Sequence, residues 1–192
     1  YEEILRARNV LMINESGKIV YSSKEKERIG QYAEDVTPSF KKIWRQIKSS
    51  KREYENSVLF VQPGYDAITN SYKQFAITHF KDVEGFVAME LDVQNIQNDI
   101  ANVNSLGRTA ETYMVYKEGD ETFLATDRSV KKGRVGDKAQ GEYIDLGFAS
   151  SGSAIKIGSA GNIEIDCYTP VKIFNMTFSL QTTISYAETI SP

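Results

Sequence analysis

The chain has 192 residues, 41% hydrophobic and 26% charged, with a net charge of −3. This balance excludes bulk disorder, and 23 basic against 26 acidic residues supply no basic face for nucleic acid. A single cysteine and a single histidine exclude an internal disulfide and any multi-cysteine or multi-histidine metal site. No apolar run approaches the roughly 18–20 residues that cross a bilayer.

In chain order, residues 1–8 read as the tail of a longer helix, Glu2 and Glu3 leading into Ile4 and Leu5. Val10–Ser23 is a β-hairpin turning at Gly17, because glycine tolerates positive φ. Lys24–Arg28 alternates in sign and is expected as a solvated loop. Thr37 and Pro38 open a helix as N-cap and first helical residue. Phe40, Ile43, Trp44 and Ile47 give that helix one apolar face. Ser57–Val61 reads as a strand, Gln62–Asn70 as a long loop, and Tyr72–Phe80 and Phe86–Leu91 as a strand pair, with His79 in a structural role. Asp92 then caps a helix carrying Val93, Ile96 and Ile100 on one face.

From Thr112 the pattern begins again. Tyr113–Asp127 repeats the hairpin with Gly119 at its turn, and Arg134-Val135-Gly136 echoes Arg28-Ile29-Gly30. Strands follow near Ile155, at 161–168 and at 176–184, with Cys167 expected as a buried strand thiol. No counterpart of the Thr37–Lys48 helix is evident in this copy. A repeat of about a hundred residues is too long for a solenoid and indicates a duplicated module. The order of strands and helices predicts an α+β fold with antiparallel sheets.

Several stretches resemble the double-Cache, tandem PAS-like extracellular sensors of bacterial transmembrane receptors. The most specific is Leu106-Gly-Arg-Thr-Ala-Glu-Thr-Tyr-Met-Val115 with Thr126-Asp127-Arg128 after it. Val10-Leu-Met-Ile-Asn-Glu-Ser-Gly-Lys-Ile-Val-Tyr21 is similar to the first hairpin of the membrane-distal module, and Gly85–Asp92 to its last strand. Phe178–Pro192 is similar to the final strand and the approach to a transmembrane helix. The resemblance implies the end of a long helix at 1–8, a membrane-distal module at 9–92, a linker helix at 93–105 and a membrane-proximal module at 106–192. It also implies a small-molecule-sensing, non-enzymatic domain outside the inner membrane, anchored there and homodimeric in the full-length protein, with a chemotaxis or histidine-kinase output. A secreted hydrolase on a tandem scaffold is the alternative.

Strand parity places Phe86, Ala88 and Glu90 on one face and Val87, Met89 and Leu91 on the other. The ligand site is therefore expected on the first face of the distal module. Glu90 would supply the buried carboxylate, Tyr65 and Tyr72 would close over the ligand, and Gln74, Phe86 and Trp44 would line its walls. A buried carboxylate calls for a cationic partner, so an amine or amino-acid-like ligand is expected, without cofactor or metal. Tyr143, Asp145, Asp166 and Tyr168 are the corresponding residues of the second copy.

Overall fold

The computed structural model describes residues 7–50, 54, 57–80, 84–92, 98, 100 and 106–190. The chain divides into two compact units near residue 93. The first holds β1 (Ala7–Asn14), β2 (Ile19–Ser22), α1 (Pro38–Ser49), β3 (Val58–Asp66), β4 (Ser71–Phe80) and β5 (Gly85–Leu91). The second holds β6 (Glu111–Glu118), β7 (Glu121–Leu124), α2 (Glu142–Leu146), β8 (Gly152–Ile157), β9 (Ile163–Ile173), β10 (Met176–Ser185) and α3 (Tyr186–Thr189). The sheets run β2-β1-β5-β4-β3 and β7-β6-β10-β9-β8, the same order one module later. All pairings are antiparallel.

The repeated Arg-x-Gly motif does the same work twice. Gly30 N–H donates to Ile19 C=O at 2.8 Å, and Gly136 N–H to Leu124 C=O at 2.9 Å. Ile19 and Leu124 N–H donate in turn to Gln31 and Asp137 C=O. Gly30 has φ +96° and Gly136 φ +87°, so each clip uses a left-handed backbone that a side chain would strain.

α1 forms where the sequence caps it. Thr37 Oγ1 accepts the Phe40 N–H at 3.1 Å, and Pro38 fills the first turn. Its buried face lays Phe40 edge-on to Phe75, ring centroids 5.1 Å apart, and Trp44 edge-on to Phe86 at 4.8 Å. Leu11, Ile13, Val61, Ile77 and Ala88 complete this core. Each large side chain here contributes about 1.5–3 kcal/mol by leaving water, so the first sheet face is filled with apolar packing.

Several expectations are corrected. Ala7 and Arg8 begin a strand, not the end of a helix, while 1–6 and most of the 93–105 linker lie outside the described residues. Most of the expected Gln62–Asn70 loop is β3 itself. Pro63, which cannot donate to a ladder, sits at a register shift between Val61 and Gly64. The second module does have a helix in the place of α1, but α2 has only 5 residues. Arg28, expected in solvent, is 0% exposed. Cys167 is exposed, because β9 turns Glu164 and Asp166 inward and the alternating Ile163, Ile165 and Cys167 to the other face.

The start and end of the second module are tied together. The Glu188 carboxylate in α3 accepts the Arg108 N–H at 2.7 Å, the Thr109 N–H at 2.8 Å and the Thr109 hydroxyl. Thr109 Oγ1 accepts the Ser185 N–H at 3.0 Å.

Candidate functional site

The sheet face that packs against the helix of its module differs in chemistry between the two modules. In the first module the apolar face ends in charge. Glu90 stands on β5 between Asn9 of β1 and Phe75 of β4. Its Oε2 accepts Lys73 Nζ at 3.0 Å. Lys73 also pairs with Glu25 and lies 3.6 Å from Asp66, and Arg28 bonds both Glu25 and Asp66. Three acids and two bases are thus joined with little access to water. Burial pushes the Asp66 carboxyl up, but hydrogen bonds from Thr69 and Ile68 and the Arg28 charge outweigh it and hold the group below its ordinary range. Glu25 is lowered in the same manner, burial being overcome by Lys73 and Arg28. Glu90 goes the other way: burial raises its carboxyl, and Lys73 only partly offsets that. A cavity of about 320 Å³ opens here against Asn9, Lys24, Glu25, Ser71, Lys73 and Glu90.

Of the residues expected to form this site, only Glu90 lines the cavity, and its cationic partner is Lys73 of the chain itself. Trp44 and Phe86 are packed together in the core. Tyr65 and Tyr72 pair across β3 and β4, 45% and 42% exposed, with centroids 5.7 Å apart. Gln74 alternates with Lys73 and Phe75 and so points to the opposite sheet face. Sequence reading missed Glu25, Arg28, Asp66 and Lys73. A lysine in alternation with Phe75 and Ile77 on the strand Ser71–Phe80 was the available signal.

In the second module the covered face is polar. The register sets Glu111, Thr183 and Asp166 side by side across β6, β10 and β9, with Gln181 and Tyr168 as the next cross-strand pair. Glu111, Glu164, Asp166, Gln181 and Thr183 are each at most 2% exposed. Arg128 pairs with Glu111 and stacks over the Tyr113 ring, 4.3 Å from its centroid. Lys131 pairs with Glu164, and Lys156 with Asp166. Burial pushes the Glu111 carboxyl up, but the Val130 and Lys131 N–H groups and Arg128 more than reverse it. Asp166 stays raised, because Lys156 does not fully offset its burial. Burial pushes the Tyr113 hydroxyl up to about 12.

Because α2 is short, it does not fill this face. A cavity of about 580 Å³ remains, lined by Tyr113, Arg128, Lys131, Tyr143, Lys156, Glu164 and Thr183 among others. Tyr143 and Tyr168 stack with centroids 5.8 Å apart, and Lys156 approaches the Tyr143 ring. Tyr143, Asp166 and Tyr168 therefore come together, whereas Asp145 is exposed on α2. Among the described residues no group of three or more His, Cys, Asp or Glu is placed to hold a metal ion.

No family model and no curated protein matches the chain. Solved structures do. An extracellular ligand-binding receptor from Desulfohalobium retbaense aligns over 96% of this chain at 12% identity, TM-score 0.68. This chain spans only 31% of that protein. The ligand-binding domain of the Pseudomonas fluorescens chemoreceptor CtaA, in complex with L-leucine, aligns over 100% of this chain and 76% of its own at 13% identity, TM-score 0.62. The ligand-binding domain of the Pseudomonas aeruginosa amino acid chemoreceptor PctB, in complex with L-Gln, aligns over 98% and 73% at 12% identity, TM-score 0.64. At these identities the likeness is one of fold, and the chain carries the tandem α+β fold of extracellular ligand-binding domains of bacterial chemoreceptors.

Proposed function

We propose that the chain is the extracellular sensing domain of a bacterial transmembrane signalling receptor, and that it binds a small amine or amino-acid-like molecule. The observation that carries this reading is the open polar cavity on a duplicated sensor scaffold, its buried charges set among tyrosine rings. A concave site with convergent polar groups suits a small ligand. A receptor with a chemotaxis or kinase output fits the neighbours, which include CtaA, PctB and the extracellular domain of rpHK1S-Z16, assigned as a histidine kinase. Signalling then follows from unequal ligand affinity for two conformations, in a full-length protein that is membrane-anchored and homodimeric. Binding rather than catalysis is the function assigned to this chain.

A thermal-shift screen of small metabolites tests the proposal. A ligand at a hundredfold excess over its Kd stabilises the native state by about 2.7 kcal/mol, a shift well above the noise of the method. If amines, amino acids, organic acids and sugars all leave the melting temperature unchanged at millimolar concentration, the sensing assignment is wrong.

A further inference from the structure

In the second module the charges on the covered face balance, but the hydrogen bonds do not. Glu111, Glu164 and Asp166 are matched by Arg128, Lys131 and Lys156. Yet Glu164 Oε2 and Thr183 Oγ1, both belonging to residues that line the cavity, have no hydrogen-bond partner. On the same sheet Asp166 Oδ1 and Gln181 Oε1 are also without one; the unpaired donors of this group are Arg128 Nε and the Thr183 hydroxyl, which can accept as well. The large majority of buried side-chain polar atoms in folded proteins are paired with protein or water, so a concentration of unpaired ones around an open cavity marks a place for a partner. The surplus is of acceptors, so that partner must bring donors. An ammonium group has three N–H donors and no acceptor, and the Tyr113 and Tyr143 rings, each already carrying a cation of the chain in Arg128 and Lys156, wall the cavity beside it.

We propose that the second-module cavity binds a small primary ammonium compound, its nitrogen seated between Glu164 Oε2 and Thr183 Oγ1 against Tyr113 and Tyr143. Lys132, which also lines the cavity, is the cation available to an acid group at the ligand's other end. The assignment rests on the sensing function proposed above and locates its binding site in the second module.

Calorimetry and thermal shift with three molecules of one carbon skeleton test it: n-butylamine, γ-aminobutyrate and butyrate. The two ammonium compounds bind and stabilise the chain, γ-aminobutyrate the more strongly, and butyrate does not. Glu164→Gln lowers affinity for both amines by about tenfold or more, as expected for loss of a charge-assisted hydrogen bond. Because that change also leaves Lys131 without its carboxylate, Thr183→Val is the second variant. It removes an unpaired buried hydroxyl while keeping the side-chain shape, so the ligand-free chain is at least as stable as the parent while amine affinity falls. Binding of butyrate in place of the amines overturns the proposal, as does amine binding that persists in both variants. Failure of all three molecules to stabilise the chain also overturns it. Amine binding that disappears in Glu90→Gln but persists in Glu164→Gln places the ligand in the first module, which removes this site and leaves the sensing function standing.

Discussion

Replacing Asp66 with Asn tests how far the first module depends on its buried charges. Asp66 is 1% exposed and bonds Arg28, which is 0% exposed. Asparagine keeps one oxygen to accept the Ile68 N–H, 3.1 Å away, but puts an amide NH2 where Asp66 Oδ2 accepts from Arg28 and from the Thr69 hydroxyl at 2.6 Å, so the charge and the acceptor facing Arg28 are lost together. Removing one partner of a buried ion pair costs about 3–5 kcal/mol, chiefly because the other charge is left without compensation. Arg28 keeps Glu25, and Lys73 keeps Glu25 and Glu90, so the lower end applies, about 3 kcal/mol. For a unit of this size that is a fall of roughly 12–24 °C in Tm. The assay is built into the chain. Trp44 is its only tryptophan and lies in the first core, so fluorescence during urea unfolding follows that module alone. The variant is expected to lower the urea midpoint without changing the slope. A loss below about 1 kcal/mol would show that the cluster tolerates an unpaired Arg28, and the reasoning from buried charge would fail.

Protonation gives the next test, with the sign fixed by the direction of each shift. Asp66, Glu25 and Glu111 are lowered on folding, so their stabilisation is complete above the unfolded carboxyl range near about pH 4 and is lost as pH falls through their folded values. Glu90 is raised, so the stability it confers is full below that range and lost as pH rises. Glu90→Gln should therefore gain most relative to the parent at neutral pH and least near about pH 4; the reverse order in urea melts would contradict the assignment. Gly64→Ala would bring a Cβ to 2.7 Å from Thr37 Oγ1 and 2.9 Å from its Cβ. Disturbing that N-cap should cost about 1–2 kcal/mol in the Trp44 transition; a silent variant would mean the cap can shift freely. Cys167 should react fully with an aromatic disulfide reagent in the native state, and reaction only after unfolding would contradict its exposure.

The duplication and the fold class were legible because they rest on local signals. Glycines at turns, the Thr37-Pro38 cap and the Phe40–Ile47 stripe each act within a few residues, and each is where the sequence places it. The sites were less legible because their chemistry is assembled across strands. Arg28 lies in a charged run that reads as solvated, and nothing within that run shows that Asp66, 38 residues later, encloses it. Strand parity correctly put Phe86, Ala88 and Glu90 on one face, but it could not say that α1 would fill that face and leave only its end polar. In the second module Cys167, beside Ile165 and Tyr168, reads as a buried strand thiol, whereas Glu164 and Asp166 take the inner side with Gln181 and Thr183 of β10. A strand with acids inward reads in isolation like an ordinary strand with its faces exchanged.

The Glu188 carboxylate gives the second module a mechanical property. Its three hydrogen bonds reach back to Arg108 and Thr109, so the last turn of the module and the segment before β6 form one link rather than two loose ends. Gly107 lies so close that a Cβ there would come within 2.9 Å of the carboxyl carbon, which leaves little slack in the joint. A pull applied at Ile190 therefore arrives at Arg108 directly, without first shearing the five-stranded sheet between them. Force leaving through the carboxyl end is coupled to the amino end of the same module by a buckle that opens only when all three bonds are broken.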